Sequence, residues 1–361
     1  WWKNIDKTLF VLIIFLFSLG LFFSLVSTSL IASDKLDTNN YFFFFKHLVY
    51  IAIGMIVLII FSSLSKKSLF KISFYLFFIS LFFLFLVPVL GTEVKGSKRW
   101  LNLFFLPRFQ PIELVKPFII IFIATILCSE KGFNIYFKYL LTFVAIVPAC
   151  LLLMMQPDIG QTLLIFLAWA TLVFISGISL PIILIFFSFS ILSLVYMVFF
   201  IPKFTYIKDR ILSFFNQNDG THNFQSDKAI DAISSGGYFG KGIGEGTLKN
   251  RVPEAHTDYI ISVISEEFGV VAIILLLILF LFFIYNVFKK IYLEKNEKIK
   301  LVLTGSVCLI IFQALIHIGV NIRLFPTTGM TLPFLSYGGS SIVGISILSG
   351  IILNLTKRKI D

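Results

Sequence analysis

Long apolar segments constrain this chain more than any other feature of its sequence. Ten of them follow one another, each at least about as long as the roughly 20 residues that an α-helix needs to cross the hydrocarbon core of a bilayer. The sequence therefore predicts an all-α integral membrane protein of about ten transmembrane helices, with residues 1–361 forming a single polytopic domain. These helices are predicted at about 8–30, 47–64, 69–90, 111–129, 138–155, 159–177, 181–201, 257–287, 301–323 and 333–355.

Composition excludes a soluble globular fold. Hydrophobic residues make up 58% of the chain and charged residues only 14%. The 45 phenylalanines occur in runs that show neither the alternation of a strand nor the stripe of an amphipathic helix, so lipid is the predicted solvent for many of them. Cys128, Cys150 and Cys308 are too scattered for metal-ligand spacing, and we interpret them as small apolar fillers.

The distribution of Lys and Arg predicts which side of the membrane holds the termini. An even number of helices places both termini on one side, and the 30 basic residues divide 15 to 15 between the two sides. Setting aside the long 202–256 segment, which carries 7 of them, leaves 15 against 8. Because the positive-inside rule discounts long loops, we predict cytoplasmic termini.

Residues 202–256 form the large extracytoplasmic loop predicted between the seventh and eighth helices, and they include a glycine cluster, SSGGYFGKGIGEGTLKN (234–250). The cluster is not a nucleotide-binding P-loop, because Gly242 follows Lys241 where such a loop needs Ser or Thr, and no strand precedes it. Two interpretations stay open. The glycines let backbone N–H groups approach a phosphate closely, as in an anion nest, or they form a flexible hinge.

An acidic stripe enters the eighth predicted helix. Asp258, Ser262 and Glu266 are spaced i, i+4, i+8 and therefore share one helix face. Ionisable groups inside a membrane segment are costly unless they face a wet cavity or take part in chemistry. The stripe therefore predicts a polar or reactive site.

A second polar stripe, Gln313, His317 and Asn321, lies on the ninth helix. Hydrogen bonding between helices explains Gln313 and Asn321 as well as a cavity does, whereas an intramembrane histidine is more suggestive of function. The small residues of TLPFLSYGGSS (331–341) favour close helix packing.

Basic residues also collect in the 91–110 loop, where Lys98 and Arg99 flank Trp100. Trp100 fits an interfacial anchor as well as it fits a group that stacks on a substrate. In the following helix Glu113 and Lys116 stand at i, i+3, a spacing that favours mutual neutralisation between helices as much as a functional role.

Together these segments resemble the SEDS family (shape, elongation, division and sporulation), and the resemblance covers effectively the whole chain. The matching strings are KRWLNL with FQPIELVK (98–116), QPDIGQTLL (156–164), QSDKAIDAISSGGYFGKGIGEGT (225–247), PEAHTDYIISVISEEFG (253–269) and FPTTGMTLPFLSYGGSS (325–341). GEGTLKNRVPEAHTD and GMTLPF are closer to the division type, FtsW, than to the elongation type, RodA. The resemblance implies a peptidoglycan glycosyltransferase that polymerises lipid II at the outer face of the cytoplasmic membrane.

The resemblance also implies roles for individual residues. Asp258 matches the family's essential aspartate and is the candidate general base, because glycosyl transfer needs a group that takes the acceptor hydroxyl proton. The predicted substrate-binding residues are Lys98, Arg99, Arg210 and Lys241 at the pyrophosphate, Glu254 and His256 at the acceptor pocket, and Trp100 and Gln110 in the cavity wall. Structural or gating roles are predicted for Glu113, Lys116, Asp158, Glu266 and His317.

Cofactors and partners follow from the same resemblance. No cofactor is required by the sequence, although a divalent cation, Mg²⁺ or Mn²⁺, that bridges the pyrophosphate to Asp258 or Glu254 is chemically sensible. The predicted partners are lipid II, membrane lipid, a class B penicillin-binding transpeptidase of the FtsI type and divisome proteins at the septum. The net charge of +11 suits anionic headgroups, whereas nucleic-acid binding is not expected because the charge is split between two membrane faces.

Two positions depart from the family pattern. Thr328 stands where many division-type sequences carry Lys, and Asn250 stands near a position where some carry an acid. An elongation-type polymerase, a lipid II flippase and a noncatalytic division scaffold are the competing functions. A flippase would use the polar stripes as a translocation path, and a scaffold would not need Asp258.

Overall fold

The computed structural model describes residues 1–27, 41–94, 97–103, 107–130, 132–215 and 224–357, without the side chains of Phe42, Lys203 and Asn250. Within these ranges the chain forms twelve α-helices and one short β-hairpin. The helices are α1 Lys7–Ser27, α2 Phe42–Ser63, α3 Lys66–Leu90, α4 Pro111–Leu127, α5 Ile135–Met155, α6 Ile159–Ile175, α7 Leu180–Phe200, α8 Thr205–Phe215, α9 Phe224–Gly236, α10 Ile260–Leu293, α11 Glu297–Asn321 and α12 Gly339–Leu355. Strand β1 Thr92–Val94 pairs antiparallel with β2 Ser97–Trp100.

Each of the ten predicted transmembrane segments coincides with an α-helix, so the all-α membrane fold is confirmed. In the described residues, seven helices are long and apolar enough to cross a membrane: α1, α2, α3, α5, α7, α10 and α11. The helices α4, α6 and α12 match the other three predicted segments and have 17 residues each. The predicted end of the first helix at residue 30 and the side chain of Asn250 lie outside the described residues.

One detail of the prediction was wrong. The last helix begins at Gly339 and not at 333, because Phe334 adopts φ 68° and the Leu332 N–H binds the Ser336 hydroxyl instead of entering a helix. The predicted 202–256 loop also has secondary structure of its own. It contains α8, α9 and two 3-10 turns, Pro202–Phe204 and Leu248–Arg251.

The chain divides into two compact units. Unit 1 comprises Trp1–Leu64, Asn216–Lys290 and Gln313–Asp361, and unit 2 comprises Ser65–Phe215 and Ile291–Phe312. The single polytopic domain stays a prediction.

In unit 1 the two ends of the chain lie at one face. The Trp1 indole donates to Ser62 Oγ at 2.8 Å, next to the C-terminal end of α2, and Lys357 Nζ lies 3.4 Å from the Leu64 carbonyl oxygen. The Asn354 amide also donates to that carbonyl, at 2.6 Å, which satisfies a group that the helix end leaves unpaired. Both described ends of the chain, Trp1 and Lys357, are therefore at the C-terminal end of α2.

The same face carries an ion pair between Asp6 and Lys290, at 2.6 Å. Burial raises the pKa of the Asp6 carboxyl, but the Lys290 hydrogen bond and the Leu9 backbone N–H outweigh it, so the pKa lies below its ordinary value. Because the folded pKa is depressed, the pair contributes stability at neutral pH that is lost as the pH falls through that pKa.

Helices α2 and α12 of unit 1 pack closely through small residues. A side chain at Gly350 would lie 2.9 Å from the Leu58 carbonyl oxygen, and one at Gly339 would meet the ring of Tyr50. Small residues let two membrane helices approach where larger ones hold them apart. The predicted packing role of the glycines near the last helix is confirmed at Gly339.

Helix α10 is interrupted at Gly269, whose φ of 76° and ψ of −178° are not helical. The glycine cluster packs directly against this break. The N–H groups of Val270 and Val271, which begin the second part of α10, donate to the carbonyls of Gly237 and Tyr238 at 3.0 and 3.2 Å. The cluster thus satisfies amide groups that the break leaves unpaired, and these hydrogen bonds join it to α10.

We expect a side chain at Gly236 to destabilise unit 1. A Cβ there would overlap the backbone carbonyl of Ser265, although alanine favours the helical conformation of this α9 position. Gly236→Ala should lower the free energy of unfolding by about 1–3 kcal/mol, the usual range for overpacking. Gly132→Ala is the control, because a Cβ at Gly132 meets nothing within 4 Å. Equal thermal stability of the two variants in detergent would contradict this packing.

Candidate functional site

Asp258 lies in the turn that precedes α10, on a peptide held at three consecutive positions. The carbonyl oxygens of residues 256–258 accept hydrogen bonds from the backbone N–H of Tyr337, the hydroxyl of Ser336 and the amide of Asn321, at 3.0, 2.6 and 3.1 Å. The donors come from two different parts of unit 1, the end of α11 and the segment before α12. Such cross-links fix the backbone that carries the half-buried Asp258.

His256 lies in an aromatic cluster beside this turn. Its ring centroid is 4.9 Å from that of Phe43 and 5.7 Å from that of Tyr337, and Tyr337 is 5.7 Å from His47. Burial, followed by the nearby Tyr50, raises the pKa of Tyr337 to about 12, so its phenol stays neutral at physiological pH. Phe43 lies in the first turn of α2, so the turn at Asp258 lies at the end of α2 opposite Trp1 and Lys357.

Glu254 and Thr257 shape the same turn. Glu254 adopts φ 56°, an uncommon conformation for a residue with a side chain, and its carbonyl accepts the N–H groups of Thr257 and Asp258 at 3.0 and 3.1 Å. The structure therefore brings Glu254, His256 and Asp258 together in one tight turn.

The polar stripe on α11 holds neighbouring segments in place. Gln313 donates to the Thr331 carbonyl at 2.9 Å, His317 Nδ1 lies 2.7 Å from the Met330 carbonyl, and Asn321 binds Asp258. These partners are backbone groups, as the hydrogen-bonding interpretation of Gln313 and Asn321 expects. The gating role of His317 stays a prediction.

The glycine cluster is hydrogen-bonded to Glu266 and Glu267, which are both fully buried. Glu266 accepts the N–H groups of Leu248 and Lys249 at 2.8 and 2.6 Å, and Glu267 accepts the N–H of Gly244. A carboxylate that accepts several backbone N–H groups is well satisfied in a buried setting. These amide groups do form an anion-binding arrangement, and the protein's own glutamates occupy it.

Lys249 completes this arrangement, and sequence reasoning missed it. Its ammonium is 4% exposed, forms an ion pair with Glu267 and lies 3.2 Å from the Val26 carbonyl at the end of α1. A cation is favourable at a helix C-terminus. Lys241, the predicted pyrophosphate ligand, lies 3.7 Å from Glu266 and is 35% exposed.

In unit 2, Arg99 lies at the C-terminal end of α5. Its guanidinium donates to the Gln156 carbonyl at 3.2 Å and to the Pro157 carbonyl, and it lies 3.7 Å from the Asp158 carboxylate. Gln110 donates to the same carboxylate at 3.2 Å. Arg99, Gln110 and Asp158 therefore form one cluster around the α5–α6 turn. The sequence predicted the position of this turn.

Glu113 and Lys116 form a buried ion pair of 2.7 Å within α4. Gln161 of α6 donates to Glu113 at 2.9 Å, so the pair links the two helices. This contact accounts for the two charges by neutralisation and bridging. Their gating role stays a prediction.

The remaining predicted residues of unit 2 have separate surroundings. Lys98 is exposed on β2, Trp100 is half-buried on the same strand, and Arg210 is half-buried on α8. Tyr206, one turn before Arg210, donates to the Met154 carbonyl at 2.8 Å. Burial raises its pKa to about 12, so this donor keeps its proton at neutral pH.

One observation bears on metal binding. Across the ranges that the structure describes, no group of three or more His, Cys, Asp or Glu side chains is placed to hold a metal ion. The divalent cation considered from the sequence would therefore need ligands from a bound substrate as well, which is the usual arrangement for Mg²⁺ at phosphates.

The fold and the site together define a multi-pass membrane protein whose acidic turn lies at the opposite end of α2 from Trp1 and Lys357. The family model for FtsW, RodA and SpoVE, described as cell cycle protein, matches residues 7–360. The chain belongs to this family.

Individual relatives agree with this assignment. A probable peptidoglycan glycosyltransferase FtsW from Caulobacter vibrioides is 31% identical over 364 residues, which cover 99% of this chain and 91% of the relative. Among solved structures, a chain from a peptidoglycan synthase complex, described for its structural coordination of polymerization and crosslinking, aligns with a TM-score of 0.79 at 26% identity, covering 98% of this chain and 97% of that chain. The crystal structure of Thermus thermophilus RodA aligns with a TM-score of 0.69 at 26% identity, with the same coverage.

Proposed function

We propose that this protein is a peptidoglycan glycosyltransferase that joins lipid II units into glycan strands at the outer face of the cytoplasmic membrane. The observation that carries the proposal is the fixed turn at Asp258, in a chain whose relatives bear the name of that activity. Reaction at the outer face follows from placing the termini in the cytoplasm, because the turn and the termini lie at opposite ends of α2.

The chemistry assigns two tasks to the protein. A hydroxyl of one lipid-linked sugar attacks the anomeric carbon of another, its proton passes to the Asp258 carboxylate, and the bond to the pyrophosphate breaks. The departing pyrophosphate then needs cationic donors. Lys98, Arg210 and Lys241 are proposed for this task, with Arg99 in a lesser part because its guanidinium already binds carbonyl groups. Glu254 and His256 are proposed to shape the acceptor pocket.

We also propose a septal role with a transpeptidase partner. The relatives named FtsW favour cell division over elongation. A class B transpeptidase that crosslinks the new strands is the partner, since the similar solved chain comes from a complex that coordinates polymerization with crosslinking.

The test is polymerisation by the purified protein, reconstituted with lipid II and with its transpeptidase partner. The proposal predicts glycan strands that a muramidase digests. If labelled lipid II instead crossed the bilayer of the vesicles without forming strands, the flippase would be the better assignment.

The positioning of Asp258 can be tested through Ser336. Ser336→Ala removes the hydroxyl that binds the Thr257 carbonyl, and we expect kcat to fall about tenfold with little change in KM, since a net loss of about 1.4 kcal/mol in the transition state has that effect. Ser235→Ala is the control, because that hydroxyl bonds only within its own helix to Ala232. Equal rates for the two variants would contradict the positioning role.

A further inference from the structure

Two aromatic side chains stand exposed at the tip of the glycine cluster. Tyr238 is 78% exposed and Phe239 is 81% exposed, and Ile243 follows at 65%. The backbone around them is tightly held, because a Cβ at Gly240 would overlap the Glu267 carbonyl. A rigid loop that presents large apolar groups at its surface indicates a surface that is covered in the working protein.

The position of this tip relative to the bilayer follows from the second part of α10. Residues 268–288 carry no charged side chain, and Lys289 and Lys290 follow directly. At 1.5 Å per residue this stretch is about 30 Å long, the thickness of the hydrocarbon core. If Lys289 and Lys290 lie at one boundary of the hydrocarbon core, the other boundary falls at Gly269. There the carbonyls of Gly237 and Tyr238 accept the N–H groups that begin the second part of α10.

Helix α1 spans the same height. It joins the lysine boundary through Asp6 and Lys290, and its other end meets Phe268 through the ring of Phe22, at 5.8 Å between centroids. Phe22 is itself 41% exposed, as expected for a lipid-facing position.

The surface of α10 below the tip is apolar and outward-facing. Val271, Ile274, Leu275 and Ile278 are 39%, 50%, 62% and 54% exposed. In a membrane helix such positions contact lipid. The aromatic tip is bonded to the upper end of this surface through Val271 and Tyr238. It therefore lies at the level where aromatic side chains concentrate, the boundary between hydrocarbon and headgroups.

We propose that Tyr238 and Phe239 insert into the headgroup boundary of the lipid bilayer and anchor the glycine cluster there. The occupant of this surface is lipid. The adjacent Lys241 suits anionic headgroups. The cluster is bonded to Glu266 and Glu267 in the first part of α10. Anchoring the tip therefore fixes the depth of this part of α10 in the membrane.

The test is depth-dependent quenching in vesicles of a phosphatidylglycerol and phosphatidylethanolamine mixture. Phe239→Cys is labelled with an environment-sensitive fluorophore in a background where Cys128, Cys150 and Cys308 are replaced by Ala, and Tyr238→Cys serves as a second site. Leu275→Cys is the lipid-exposed reference. Asp231→Cys is the aqueous reference, because Asp231 is 52% exposed in a surface ion pair.

We expect a nitroxide near the lipid headgroup to quench the label at 239 at least threefold more strongly than the label at 231. A nitroxide deep in the acyl chains should quench the label at 275 most strongly. Quenching at 239 and 238 no stronger than at 231 would overturn the proposal. So would protection of these labels only after a partner membrane protein is added, since the surface would then bind protein. The measurement requires no glycan synthesis, so its outcome is independent of the proposed enzyme activity.

Discussion

Replacing Asp258 by Asn should reduce the rate of glycan polymerisation about 10²- to 10⁴-fold, the contribution that a positioned general base makes. Asn keeps the size and hydrogen-bonding shape of the side chain and removes its ability to take a proton. The backbone contacts of the turn run through carbonyl oxygens, so the fold should persist. The measurement is the initial rate of strand formation from lipid II, with the variant's thermal stability as a check on folding.

Two further variants separate chemistry from structure. Asp258→Glu retains a carboxylate and should keep more activity than Asp258→Asn, although the longer side chain displaces the base. Asp231→Asn, at an exposed ion pair on α9, should leave the rate within about twofold, because such surface pairs contribute little. If Asp258→Asn polymerised as fast as the parent, the assignment of the base would be wrong.

Lys249→Met should be the most destabilising single charge removal in the glycine cluster. It leaves the fully buried Glu267 carboxylate without its cation, and breaking a buried pair costs about 3–5 kcal/mol. Removing the charge of both partners, with Lys249→Met and Glu267→Gln together, should restore most of that stability, because Gln still accepts the Gly244 N–H. Denaturant titration in mixed micelles measures these differences.

Lys241→Met provides the matched control for stability. Lys241 lies 3.7 Å from Glu266 and is 35% exposed, so its removal should lower the free energy of unfolding by less than about 1 kcal/mol. A Lys249→Met variant no less stable than Lys241→Met would show that the buried pair does not hold the cluster to α10.

The transmembrane architecture could be predicted because segment length and lack of charge suffice to define a membrane helix. The turn at residues 156–158 was predictable for the same reason, since a polar Gln-Pro-Asp stretch separates two apolar segments. The start of the last helix was not, because Phe334 departs from helical geometry under contacts from elsewhere in unit 1. Its ring packs on Phe17 and Phe283, at 5.3 and 5.9 Å.

The site was predictable only as a set of residue types. The acidic stripe identified Asp258 and Glu266 together, yet Glu266 binds backbone amides of the glycine cluster 17 and 18 positions upstream. Nothing in the local sequence reports such partners. Arg99 was predicted as a substrate ligand because the sequence shows a charge, whereas the carbonyls that it binds depend on how α5 ends.

The break at Gly269 has a similar explanation. Glycine is tolerated inside membrane helices, so the sequence alone gave a continuous helix there. The glycine cluster is bonded to the start of the helix after the break, and a side chain at Gly269 would overlap the Tyr238 carbonyl. Lys249 was missed for the same reason, since its role depends on Glu267 and on the end of α1.

We expect strand synthesis at the face of the protein that carries Asp258, at the end of α2 opposite Trp1 and Lys357. It can be tested in vesicles that hold the protein in one orientation, established by protease access to a C-terminal tag, with lipid II supplied to one leaflet at a time. Strands should form when lipid II is in the leaflet opposite the tag and not when it is confined to the leaflet on the tag side. Equal synthesis from either leaflet would contradict the claim, because substrate would then have to cross the membrane through the protein.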